Sequence, residues 1–140
     1  MVDWLKNRSR PYLFSNSVPP SLVVAASKAL DVIARSVDLR TRLKDNTQKM
    51  RSGLETAGFK VKPGPTPILP VMLGDAKLAS AMADQLLAQG VYVIGFSYPV
   101  VPQGQARIRL QVSAAHTIPQ TEHAIKAFTI VGRQLGVIPA

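Results

Sequence analysis

Residues 95–117 read GFSYPVVPQGQARIRLQVSAAHT, and the fold turns on the stretch Ala106 to Val112 inside it. Apolar and polar residues alternate there with period two, the signature of a half-buried strand. Ala106, Ile108, Leu110 and Val112 share one face; Arg107, Arg109 and Gln111 share the other. A guanidinium is permanently charged and matches a carboxylate with two parallel hydrogen bonds. On the polar face, behind a Pro/Gly-rich loop, such a group is either solvated or set against an anion.

Around this strand the pattern alternates between helix and sheet. Residues 10–20, RPYLFSNSVPP, read as an irregular segment, with Pro19 and Pro20 suited to a helix start. Leu22, Ala26, Ala29, Leu30, Ile33 and Val37 recur at helical spacing; Leu39, Leu43, Met50 and Leu54 form a second set. The spacing predicts one bent helix, or two meeting near Ser36–Asp38, closed at Gly58. Phe59–Lys62, Ile68–Leu73 and Val91–Gly95 are further strand candidates, and Pro70 marks an edge or a bulge. Leu78, Met82 and Leu86 define a helix between Gly74-Asp75 and Gly90. Thr117 and Gln120 are spaced for a capping box on the last helix.

The order implies an α+β fold: a small, mainly antiparallel sheet covered by helices and preceded by a long connecting helix. The expected division is an irregular lead-in over 1–20, a connecting helix over 21–58, and a small α+β domain over 59–140. The connecting helix reads as a joint between domains rather than a core element.

Composition narrows the chemistry. A hydrophobic fraction of 46% with 18% charged residues is that of a globular chain. The net charge of +9 permits nucleic acid, an acidic surface or an anionic ligand. The basic residues are scattered, however, and aromatics make up only 6%, so no nucleic acid is expected. The absence of cysteine removes disulfides, thiolate metal sites and thiol catalysis. No membrane span and no targeting segment are visible. Glu55 and Glu122 lie far apart, the aspartates do not cluster, and the two histidines, His116 and His123, lie seven apart, with His123 among Glu122 and Lys126. No metal site and no acid/base pair emerges. His123 reads as a solvated surface residue. Ser15-Asn16-Ser17 is either a second anion site at a helix entry or a helix cap.

SRPYLFSNSVPP, PVMLGDAKLASAMADQLLAQGVYVIGFSYPVVPQGQARIRLQVSAAHT and AIKAFTIVGRQLGVI together resemble the α-oxoamine synthases, on their glycine C-acetyltransferase branch. The resemblance covers essentially the whole chain. It implies the C-terminal domain of a fold-type I pyridoxal-phosphate enzyme that condenses glycine with acetyl-CoA to 2-amino-3-oxobutanoate and CoA. It implies a homodimer, threonine dehydrogenase as a candidate partner, and a cytoplasmic location in bacteria or a mitochondrial one in eukaryotes. The family's cofactor lysine lies ahead of the SRPYLFSNS segment. The chain is therefore expected to be a fragment, inactive alone, with no catalytic residue and no covalently held cofactor. By the same resemblance, Arg109 binds the substrate carboxylate, and Phe14 and Ser15 reach the cofactor phosphate of the neighbouring subunit. Arg107 has no family role here and is expected in a structural ion pair. The alternative is a non-catalytic basic module contacting RNA or an acidic protein.

Overall fold

A computed structural model describes residues 1–139. The chain divides into two compact units, one over Met1–Val37 and one from Asp38 onward.

The first unit is helical. It comprises α1 (Val2–Arg8), α2 (Arg10–Phe14) and α3 (Pro20–Arg35). The expected irregular stretch is thus helical over its first five residues. Pro11 sits in the first turn of α2, where a missing N–H breaks no bond, so it begins a helix instead of preventing one. Pro20 opens α3 in the same way. No serine side chain caps α3, whose N-cap is Pro19. Ser15 instead closes α2 in an extended conformation. None of the residues in these three helices is buried.

Helical conformation breaks at Ser36 and resumes in α4 (Val37–Thr56), so the bent-or-broken pattern resolves as two helices. The second unit then runs β1 (Ile68–Gly74), α5 (Ala76–Ala88), β2 (Ile94–Phe96), β3 (Ala106–Gln111) and α6 (Ile118–Gln134). Gly58 at φ 103° and Gly90 at φ 79° follow α4 and α5 in the left-handed region that glycine enters at no steric cost. Asp75 accepts the Leu78 N–H at the start of α5, and Thr117 and Gln120 form the complete capping box of α6.

The sheet has the order β1-β3-β2, with both pairings antiparallel. The strand expected at Phe59–Lys62 shrinks to one bridge, Val61 to Val71, because Pro63 and the turn after it take the chain away. Backbone N–H groups of Lys62 and Met72 still bond across to Pro70 and Lys60 carbonyls at 2.9 Å. Pro70 therefore sits beside the central strand without a ladder gap. The β-rich stretch Val91–Gly95 pairs later than expected, from Ile94 to Phe96.

The apolar face of the sheet packs on the helices. Leu69, Val71 and Ile108 join Met82, Leu86, Phe128 and Val131 in one cluster. Met50 and Leu54 of α4 belong to it, so the latter half of the expected connector is a core element. The Phe59 and Phe128 rings meet edge to face at 84° with centroids 5.8 Å apart. All three helices contribute to one side, which leaves the other face of the sheet uncovered within this unit.

Candidate anion-binding face

The uncovered face carries Arg107, Arg109 and Gln111 down its middle strand. Register decides what flanks them. Pro70 and Ile94 stand opposite Arg109, and Met72 and Phe96 opposite Arg107. Cross-strand partners point to the same side of a sheet. The charged strand is thus bordered by apolar side chains on both neighbours. Gly95, between Ile94 and Phe96, faces the helices instead: a Cβ there would lie 3.0 Å from the Ala79 carbonyl oxygen. Close approach of β2 to α5 therefore sets which way Phe96 points.

Arg109 is exposed, and its guanidinium lies over the Phe96 ring at 4.7 Å. A stacked guanidinium keeps its N–H edge free for an anion. Among the described residues no carboxylate lies within ion-pair distance of Arg109. Arg107 is half-buried and, contrary to the ion pair expected for it, has no acidic partner among the described residues either. The polar strand face simply lacks acidic neighbours: none of its cross-strand partners is Asp or Glu.

A groove of about 970 Å³ opens beside this strand, with Arg109, Phe96, Ile94, Tyr92, His116 and His123 among its lining. Its floor near the end of β3 is held by hydrogen bonds. The Asn46 amide donates to the carbonyls of Ser113 (3.0 Å) and His116 (2.9 Å). The Ser113 N–H donates to His116 Nδ1 at 3.2 Å, and the Ala115 N–H to Ser113 Oγ at 3.1 Å. His116 Nδ1 is thereby an acceptor, which leaves the neutral ring's proton on Nε2. His123 is exposed as expected, but its Nε2 also lies 2.9 Å from the Gln89 carbonyl, tying α6 to the end of α5.

Phe14 and Ser15 belong to the first unit. Both are exposed, and the Arg10 guanidinium lies 5.8 Å from the Phe14 ring centroid. Two residues, one on the face and one beneath the turn that follows β3, escaped the sequence reading. Phe96 could be matched to Arg109 only through the strand register. Asn46 had a visible signal: it lies three residues after Leu43 and four before Met50, a polar residue on the apolar stripe of its helix.

Comparison with known proteins agrees with this architecture. The family model for aminotransferase class I and II matches residues 1–128. The human mitochondrial 2-amino-3-ketobutyrate coenzyme A ligase is 52% identical over 139 residues, 99% of this chain and 33% of that protein. Its Escherichia coli K12 counterpart is 51% identical over 138 residues, 99% of this chain and 35% of that protein. A structure of serine palmitoyltransferase from S. paucimobilis with bound PLP–myriocin aldimine superposes with a TM-score of 0.90 at 32% identity, covering 97% of this chain and 35% of that one. The chain thus spans about a third of the length of the relatives it matches. A three-stranded antiparallel sheet backed by helices, together with a family match over residues 1–128, places the chain in the aminotransferase class I and II family.

Proposed function

We propose that the chain is the C-terminal domain of a pyridoxal-phosphate-dependent glycine C-acetyltransferase, joining glycine and acetyl-CoA into 2-amino-3-oxobutanoate with release of CoA. The reading rests on one observation above all: the strand that carries Arg109 to an open face lies within a stretch matched end to end by 2-amino-3-ketobutyrate coenzyme A ligases. The location follows the source, cytoplasmic in bacteria and mitochondrial in eukaryotes.

The donors on hand fit such a cofactor and substrate. Ser15 offers an exposed hydroxyl to a phosphate, with Phe14 beside it, in a homodimer where this segment serves the neighbouring subunit. Arg109 offers a guanidinium edge to the glycine carboxylate. Two parallel N–H···O bonds fix both the position and the rotation of the amino acid, which orients its Cα–H bond. When bound, pyridoxal phosphate supplies an electron sink next to that carbon. No lysine here stands in the family's cofactor-lysine context, so the base and the covalent anchor come from the rest of the enzyme. The 140-residue chain is then inactive by itself.

The test is CoA release. A full-length enzyme carrying this sequence and loaded with pyridoxal phosphate is expected to release CoA from acetyl-CoA only when glycine is added. Release that ignores glycine, or steady turnover by the 140-residue chain alone, would contradict the proposal.

A further inference from the structure

Arg109 is exposed and without an acidic neighbour among the described residues, so its side chain has no ion pair to hold it in place. A free arginine has many rotamers, and an incoming carboxylate must overcome the entropy of fixing one of them. The sheet supplies a substitute. Ile94 is the direct partner of Arg109, and Phe96 that of Arg107. Phe96 is therefore the diagonal neighbour of Arg109 on the same face, within reach of a long side chain. Its ring lies 4.7 Å from the guanidinium carbon and is itself half-buried. The ring direction is supported in turn by Gly95, whose missing side chain lets β2 lie close to α5: a Cβ there would come within 3.0 Å of the Ala79 carbonyl oxygen.

We infer that Phe96 is the positioning residue of the substrate-carboxylate site: it stacks on Arg109 and holds the guanidinium edge-outward before the amino acid arrives. Phe96 touches no substrate atom in this account and acts only through Arg109. The inference rests on the carboxylate role of Arg109 proposed above. A flat π-face suits this task better than a carboxylate would. It restrains the guanidinium by its face and leaves the whole N–H edge available, whereas an ion pair would occupy that edge with a competing anion.

Kinetics in the cofactor-loaded full-length enzyme test this with four variants. Phe96→Leu keeps an apolar side chain and removes the π-face; it is expected to raise the glycine KM about threefold, the size of an exposed stack, and to leave the acetyl-CoA KM unchanged. Phe96→Tyr and Phe96→Trp, which keep a ring, are expected to restore the glycine KM. Arg109→Lys is expected to raise it more than Phe96→Leu does. A glycine KM that stays at the wild-type value in Phe96→Leu while Arg109→Lys raises it overturns the stacking role alone. If neither variant changes the glycine KM, both the stack and the carboxylate site fall. Equal rises in the glycine and acetyl-CoA constants in Phe96→Leu, without rescue by tyrosine, would mean general distortion and would also overturn the inference.

Discussion

Two residues show how tightly the second unit is closed. A Cβ on Gly132 would lie 2.4 Å from the Phe59 ring, inside any real contact distance. Phe59 cannot retreat, because it is buried and packs edge to face on Phe128. Gly132→Ala is therefore expected to destabilise the chain by about 1–3 kcal/mol, read as a lower urea midpoint with an unchanged slope. Asn46 works by hydrogen bonding instead. Its amide satisfies two carbonyls of the turn after β3, and it is only 9% exposed. Removing it in Asn46→Ala leaves both carbonyls short of a donor at a cost of about 1–3 kcal/mol. Amide exchange at Ser113 to His116 should quicken in that variant more than exchange in β1; uniform quickening would place the effect elsewhere. Position 132 illustrates what sequence withholds. Gly132 reads as an ordinary small residue in a helix, and only the aromatic ring of a residue 73 positions away reveals why nothing larger fits.

At the scale of elements, periodicity was the dependable signal and pairing the hidden one. The alternation of Ala106 to Val112 fixes both the strand and its two faces, since a period of two has no other outcome. The capping box of α6 was equally visible, because its two residues are local in sequence. Thr117→Ala is expected to cost about 1 kcal/mol, seen in thermal melting, because the Gln120 N–H loses the Thr117 hydroxyl that accepts it while the residue-117 N–H keeps its bond to the Gln120 side chain. Strand candidates with few residues fared less well. Phe59–Lys62 has the composition of a strand, but the turn at Pro63 gives it one bridge only. Val91–Gly95 slides toward Phe96 because its pairing is set by β3, not by its own composition. The role of α4 depended on non-local packing. Its outer surface is polar enough for a connector, yet Met50 and Leu54 are required by the core.

The whole molecule divides its labour between units. In the first, Leu22, Val23, Leu30 and Ile33 are exposed on α3. Contiguous apolar side chains of this kind favour association, so sedimentation of the 140-residue chain is expected to show species larger than a monomer at rising concentration. A strictly monomeric chain at every concentration would contradict this. The second unit presents one charged strand on an uncovered sheet face, and the proposed function depends on what that strand holds. The sequence located Arg109 on its face; its apolar frame of Pro70, Ile94 and Phe96 required three strands to be in register. The most direct measurement is the glycine kcat/KM of Arg109→Ala in the full-length enzyme. Loss of a charge-assisted bidentate contact is expected to lower it by about 2–4 kcal/mol in transition-state terms, roughly 30- to 1000-fold, with acetyl-CoA binding unchanged. A glycine kcat/KM equal to that of the wild type would contradict the assignment of this strand as the carboxylate-binding half of the site.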